Sequence, residues 1–250
     1  MNTTFGVGNV LATGFRVWLR NLVPFLLLTG LFYAAPWFWV WSIVHGEPTP
    51  ENFQHAASAF QIAAALTFAL GILVQAALTY GVVMELHGQR ASIGSCITTG
   101  VARFFPALGV GVLTWLCIAG GLIALIIPGL IVACMLYVAM PASVLERPGL
   151  LGALRRSREL TRGHRAEIFG LMFLLALLAL GTSWIVAKAI VTPAHTLEEA
   201  LHNLSNQVYL HLCHQMIIGS LSAVMSSVAY YLLRAEKEGT SAAELAAIFD

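Results

Sequence analysis

Six stretches of this chain are apolar for long enough to cross a lipid bilayer, and they constrain the fold more than any other feature. They cover residues 21–45, 59–85, 106–127, 129–146, 167–191 and 209–234. A helix needs about 20 apolar residues to span the hydrocarbon core. Only 10% of the residues are charged, against about 25% in a soluble domain. The sequence therefore predicts an all-α integral membrane protein with six transmembrane helices, paired as three hairpins.

A short repeat indicates how the hairpins are organised. Residues 7–14 read VGNVLATG and residues 93–100 read IGSCITTG, and each octapeptide is followed by an Arg and then by a Pro that opens an apolar stretch. We therefore expect a single membrane domain over residues 1–250, with an amphipathic cytoplasmic interfacial helix before each hairpin. The interfacial helices are predicted at 1–20, 86–105 and 147–166, the hairpins at 21–85, 106–146 and 167–234, and a cytoplasmic tail at 235–250.

Local signals mark several helix ends. Pro128-Gly129 separates the third and fourth apolar stretches, as expected of a tight turn, because Pro stops a helix and Gly permits the turn. The alternative is one long kinked helix, which would overshoot the bilayer. Thr196 and Glu199 form a capping-box pattern that begins a helix leading into the sixth span, and residues 241–244 form a second one in the tail.

The distribution of basic residues predicts the orientation. Twelve of the thirteen Lys and Arg residues lie before span one, between spans two and three, between spans four and five, or after span six, and only Lys188 lies near the opposite face. Loops rich in Lys and Arg stay in the cytoplasm, so we expect both termini there, without a cleavable signal peptide. Trp37, Trp39 and Trp41 lie near the outer end of span one, where an aromatic belt forms.

Six of the basic residues are concentrated in residues 145–167. At helical spacing one side carries Arg155, Arg158, Arg162 and Arg165, and the other carries Leu150, Ala153, Leu154, Ser157 and Leu160. Such a helix lies in the plane of the membrane surface with its leucines toward the acyl chains. Each Arg near an anionic leaflet contributes about 1 kcal/mol. We therefore expect anionic headgroups to contact Arg155, Arg156, Arg158, Arg162 and Arg165.

Two alternatives remain for this cationic stretch. The arginines could serve only to fix the orientation of the loop, or they could bind a phosphoprotein or a nucleic acid. The net charge of the chain is only +1, which argues against an acidic macromolecule, so nucleic acid is not an expected partner.

The sequence carries no motif of a familiar enzyme class. HExxH, P-loop, GxSxG and Cys-x-x-Cys patterns are all missing, so we expect no catalytic residue and no cofactor. The weak metal candidates are His211 and His214, which share a helix face beside Cys213 near the start of span six. Imidazoles at this spacing can bind zinc or copper. Anchoring at the membrane interface is the alternative that we favour for these histidines.

The interiors of the spans are polar in places but not charged. The ionisable residues that border the spans lie at their ends, at Glu85, Glu146, Glu167 and Lys188. Buried charge usually marks an ion path, whereas Gln75 and Gln215 are neutral and suit a groove for a lipid or an uncharged substrate. Ala77 and Gly81, four residues apart, predict a close helix contact within the bundle or in a homo-oligomer.

Residues 126–170 resemble a family of bacterial six-span membrane proteins. The matching positions are Pro128, Gly129, Pro141, Glu146, Ala153, Leu154, Arg156, Ser157, Leu160, Thr161 and Gly163, and residues 230–239 resemble the family's ending. These proteins are similar to the membrane domain fused to some glycerophosphoryl diester phosphodiesterases. The resemblance implies the fold, a bacterial cytoplasmic (inner) membrane location and structural roles for the motif residues. It implies no activity, because the phosphodiesterase chemistry belongs to a separate soluble domain.

Together these features favour a non-enzymatic role, as a membrane scaffold or accessory protein that contacts anionic lipid. One alternative is a transporter or channel for a lipid-like or small uncharged substrate, and the least expected is an enzyme of lipid headgroups. A transporter needs a polar groove, whereas a scaffold can be packed solid. The expected partners are anionic membrane lipids and either a second copy of the chain or another membrane protein.

Overall fold

Helices form the regular structure of the described chain. The computed structural model describes residues 5–45, 49–89, 92–190 and 196–239. In chain order the helices are α1 (Val7–Arg20), α2 (Leu22–Val44), α3 (Pro50–Leu86), α4 (Ile93–Ala102), α5 (Phe104–Ala124), α6 (Ile126–Leu136), α7 (Ala139–Glu146), α8 (Leu150–Leu160), α9 (Arg165–Ile190), α10 (Leu197–His214), a π-helical turn (Gln215–Gly219) and α11 (Ser220–Glu238). The second capping box, predicted at residues 241–244, lies outside the described residues.

The prediction of six apolar spans is confirmed. Six helical stretches are long and apolar enough to cross a membrane, and they are Leu22–Val44, Pro50–Leu86, Phe104–Ala124, Ile126–Glu146, Arg165–Ile185 and Glu198–Glu238. Their length and composition fit a multi-pass membrane protein. The last stretch has the largest share of buried residues of the six, whereas Phe104–Ala124 and Arg165–Ile185 have the smallest.

Helices α2 and α3 pack antiparallel. A Cβ on Gly81 would contact Phe25 near the start of α2 at 3.3 Å, while the Asn52 side chain donates to the carbonyl of Ile43 at 3.0 Å near its end. Helix α3 begins at Pro50 rather than at residue 59, because the Thr49 hydroxyl accepts from the Asn52 amide at 3.1 Å and Pro is favoured in the first turn.

The turn between α5 and α6 lies three residues before its predicted place. The chain leaves α5 at Leu125, which is extended (φ −166°, ψ 149°), and Pro128 and Gly129 belong to the start of α6. Pro is tolerated there because N–H groups in the first turn of a helix have no acceptor within the helix, so the N–H that Pro lacks would have formed no helical hydrogen bond. Gly129 serves a close contact instead, since a Cβ on Gly121 would lie 2.9 Å from its Cα.

The fourth span is broken where α6 ends. Tyr137 and Val138 separate α6 from α7. Pro141 has no N–H to donate to the carbonyl of Tyr137 four residues earlier, which accounts for the break.

The sixth span is continuous with the helix that precedes it. Thr196 accepts from the Glu199 amide at 3.2 Å while the Glu199 carboxylate accepts from the Thr196 amide, so the predicted capping box is confirmed. Helix α10 then leads through the π-helical turn into α11 without interruption.

The helices that precede the spans pack against them. The last glycine of each repeat sits at a close helix contact, because a Cβ on Gly14 would meet Met225 of α11 at 2.4 Å and one on Gly100 would meet Ala77 of α3 at 2.9 Å. The equivalent positions thus have equivalent roles. Ala77 also belongs to the small-residue pair noted in the sequence, so that pair serves packing within the bundle.

The cationic helix is shorter than predicted. Helix α8 ends at Leu160, Arg162 lies in the following turn, and Arg165 begins α9. Gly163 has a φ of 99° in this turn, a conformation that other residues rarely adopt, so the 147–166 stretch cannot form one continuous helix. Much of the apolar side of α8 faces protein, since Ala153 and Leu160 are buried in the cores of the bundle, whereas Leu150 in the first turn is 46% exposed.

Candidate functional site

A cavity of about 460 Å³ lies between α2, α3, α5, α7, the π-helical turn and α11. Its walls include Tyr33, near the middle of α2, and Thr114, near the middle of α5. Two irregular segments also border it, the break at Tyr137 and the π-helical turn at Gln215. π-Helical turns often occur at functional sites.

The polar groups of the cavity are uncharged. Gln75 donates to the hydroxyl of Ser226 at 2.7 Å across the α3–α11 contact. Gln215, the other neutral polar residue noted in the sequence, lines the same cavity. The structure therefore brings together two side chains that sequence analysis identified separately.

Two hydroxyls in the cavity wall lack a hydrogen bond. Thr114 Oγ1 and Tyr137 Oη are enclosed and have no partner within the described residues. They lie across from each other on the antiparallel α5–α6 pair, whose register is set by the contact of Gly121 with Gly129. A buried unsatisfied hydroxyl costs about 1–3 kcal/mol, so turning either side chain toward a ligand that bonds to it would recover that free energy. Sequence analysis did not single out either residue.

The cavity reaches the outer surface of the bundle between α3 and α5. Phe68 and Trp115 line it and expose 55% and 57% of their surface. Both lie within apolar spans, so in a bilayer this opening would face lipid acyl chains rather than water.

A second feature is a cluster of charged side chains that ties α7 and α8 to α11. Arg156 Nε lies 2.6 Å from Glu146 Oε2, and its guanidinium also pairs with Glu238. Arg234 Nε lies 2.8 Å from Glu238 and 3.9 Å from Glu146. The Tyr230 hydroxyl donates to Glu146 at 2.5 Å. Burial opposes the charge of Arg156, but the Glu238 and Glu146 carboxylates outweigh it and raise the pKa of Arg156.

The structure gives Arg156 protein partners, and its predicted contact with lipid headgroups stays a prediction. Its side chain is only 23% exposed and is occupied by two carboxylates. The sequence offered one signal for this cluster, because Tyr230, Arg234 and Glu238 are spaced by four and share a face of α11.

Two hydroxyl side chains of the family motif, on Ser157 and Thr161, form hydrogen bonds to the backbone beside the break in the fourth span. The Ser157 hydroxyl donates to the Met135 carbonyl at 2.8 Å, and that of Thr161 reaches the same oxygen at 3.3 Å. Both side chains are buried, and they bind α8 to the end of α6. This is a structural role, as the resemblance implied for these two residues.

The other predicted lipid contacts are divided between α8 and the segments after it. Arg155 pairs with Glu159 at 3.0 Å on the exposed face of α8, and Arg158 and Arg162 are exposed. Arg165 is half-buried at the start of α9. The structure thus leaves three of the five arginines exposed, and their contact with anionic lipid stays a prediction.

The two candidate metal-binding histidines have separate protein partners. His214 Nε2 lies 3.0 Å from the Ser183 hydroxyl and 3.2 Å from the Ala179 carbonyl. The His211 ring packs 4.5 Å from that of Trp37, which is buried and so does not belong to an aromatic belt. Within the described ranges no group of three or more His, Cys, Asp or Glu side chains is placed to hold a metal ion.

Comparison with known proteins places the chain in a family. Residues 49–235 match a family described as a domain of unknown function (DUF7847), and this range contains Glu146, Arg156, Thr114 and Tyr137. No curated protein and no solved structure matches the chain, so the resemblance to phosphodiesterase membrane domains stays an expectation. Because the matched range covers most of the sequence, the protein belongs to the DUF7847 family.

Proposed function

We propose that this protein binds an uncharged, lipid-like molecule in the cavity between its spans and passes it to or from the surrounding bilayer. The observation that carries the proposal is the cavity itself, with unbonded hydroxyls on Thr114 and Tyr137 and an opening flanked by Phe68 and Trp115. Binding sites for small molecules are typically apolar cavities of about 300–1,000 Å³ with a few convergent polar groups.

The lining argues for the chemistry of the ligand. Charged groups inside a membrane attract charged substrates, and the described residues that line the cavity carry no Asp, Glu, Lys, Arg or His. Its polar groups suit a neutral hydroxyl, ester or carbonyl, and its apolar opening suits hydrocarbon chains. A neutral lipid such as a diacylglycerol combines both properties.

We further propose the membrane arrangement that the basic residues predict. Three hairpins would span a bacterial cytoplasmic membrane, with α1, α4 and α8 at its cytoplasmic side together with both termini. Ion pairs gathered at one end of the bundle support this arrangement, because Arg20 pairs with Glu85 at 3.0 Å and the Arg156 cluster lies at the ends of α7 and α11.

A scaffold role with anionic lipid contact is the second candidate. It is supported by the exposed side chains of Arg155, Arg158 and Arg162. A scaffold role does not account for the cavity, and we therefore favour ligand binding.

The first prediction concerns the cavity. Thr114→Phe should fill it and displace the ligand, since the new ring would occupy the space beside Tyr137. We expect native mass spectrometry of the detergent-solubilised protein, incubated with dioleoylglycerol, to find about one bound molecule per chain in the wild type and none in the variant.

Leu116→Phe is the matched control, because Leu116 lies on the same helix, is 53% exposed and does not line the cavity. It should bind dioleoylglycerol as the wild type does. Equal binding by the Thr114→Phe variant and the wild type would contradict the proposal, as would a wild type that retains no neutral lipid.

A further inference from the structure

Arg103 and Arg147 come together at one end of the α5–α7 pair. Ala107 and Val144 belong to the same small core cluster, and a Cβ on Gly111 would lie 3.7 Å from the sulfur of Met140. These contacts run antiparallel, so the residue that precedes α5 and the residue that follows α7 reach the same level. Those residues are Arg103 and Arg147.

Some of the basic residues at this end are neutralised by a carboxylate, and others are not. Arg156 and Arg234 are neutralised by Glu146 and Glu238. Two further pairs join Arg20 with Glu85 and Arg155 with Glu159.

By contrast, Arg103 and Arg147 form no ion pair with any described residue. Burial and the nearby charge of Arg147 lower the pKa of Arg103. Two like charges held side by side without a counter-ion favour an anion that both can bind.

Apolar surface surrounds this pair. Phe105, two residues after Arg103, is 78% exposed, and Leu151 in the first turn of α8 is 74% exposed. Helix α8 begins beside α5, because a Cβ on Gly109 would lie 2.6 Å from the side chain of Leu150. Its first turn carries no acidic residue that could compete for the arginines. A free phosphate ion would gain nothing from this apolar surface, whereas the acyl chains of a phospholipid would cover it.

We propose that Arg103 and Arg147 form a binding site for the phosphate of an anionic phospholipid, whose acyl chains lie along Phe105 and Leu151. The guanidinium groups donate hydrogen bonds to phosphate oxygens, a geometry to which arginine is well suited. This site is separate from the cavity and does not depend on the function proposed for it.

The test uses the purified full-length chain in detergent with a limiting amount of dioleoylphosphatidylglycerol. We expect native mass spectrometry to find this lipid bound to the wild type, with an affinity about tenfold higher than that of the Arg103→Gln/Arg147→Gln variant. Dioleoylphosphatidylcholine should bind both proteins weakly and equally, because its headgroup carries no net charge. Thr114→Phe should leave phosphatidylglycerol binding unchanged.

Arg155→Gln/Arg158→Gln is the matched control, since it removes the same charge from the exposed face of α8. It should bind phosphatidylglycerol within about twofold of the wild type, because long-range attraction between exposed charges is screened by salt. Equal losses of phosphatidylglycerol affinity in the two double variants would overturn the proposal. Lipid binding would then depend on the general positive charge at this end of the bundle. Competition by millimolar inorganic phosphate as effective as that by the lipid would overturn the assignment to a phospholipid.

Discussion

Glu146→Gln is expected to destabilise the protein by about 2–4 kcal/mol. Glu146 balances Arg156 and Arg234, and its side chain is only 16% exposed. Removing its charge leaves two guanidinium groups with Glu238 alone, and breaking a buried pair from one side costs about 3–5 kcal/mol. Because the cluster is partly exposed, we expect a somewhat smaller loss than for a fully buried pair.

Titration of the purified protein with SDS in mixed micelles measures this loss as a shift of the unfolding midpoint. Glu159→Gln is the control, since Glu159 pairs with Arg155 on the exposed face of α8, where both side chains are more than half exposed. An exposed pair spaced by four contributes about 0.3–0.5 kcal/mol. Similar midpoints for the two variants would show that the Glu146 cluster does not hold α7 and α8 to α11.

The six spans could be predicted because each depends on a local property, the length of an apolar run. The partners of Glu146 could not, because Arg156 is ten residues away and Arg234 is on the last helix of the chain. Sequence periodicity placed Arg156 within a cationic helix. An arginine on a short helix can equally well point into the bundle, if a carboxylate on a neighbouring helix pairs with it there. Only the packing of α8 against α11 decides between these outcomes.

The cavity was beyond sequence analysis for a related reason. Gln75 and Gln215 were recognisable as neutral polar residues within spans, but their sharing of one cavity depends on how α3 lies relative to the π-helical turn and α11. Thr114 is an unremarkable residue in an apolar helix, and the unbonded state of its hydroxyl is set by its neighbours. The break beside Tyr137 was signalled by Pro141, although its position at the cavity wall was not.

Pro128-Gly129 was correctly recognised as important for the α5–α6 pair, but its role was assigned wrongly. The dipeptide was interpreted as the turn itself, because Gly permits unusual backbone angles. The turn is made by Leu125, and Gly129 lies within a helix. What its missing side chain provides is space, and this interpretation makes a different prediction about substitution.

Gly129→Ala should destabilise the α5–α6 pair by about 3 kcal/mol, the upper part of the range for overpacked interiors. A Cβ on Gly129 would lie 2.7 Å from the backbone nitrogen of Leu122 and 2.5 Å from its side chain. The side chain could turn aside, but the backbone nitrogen can yield only if α5 and α6 separate. If there were room for a Cβ at this helical position, Gly129→Ala would instead be stabilising.

For Gly120→Ala, one residue before the Gly121–Gly129 contact, we expect the opposite result. No atom lies within 4 Å of a Cβ built on Gly120, and replacing Gly by Ala inside a helix stabilises by about 0.5–1 kcal/mol. The midpoint of SDS-induced unfolding should therefore fall for Gly129→Ala and stay or rise for Gly120→Ala. A rise for both would mean that α5 and α6 are free to separate, and the α5–α6 wall that carries Thr114 and Tyr137 would then lack the fixed geometry that ligand binding requires.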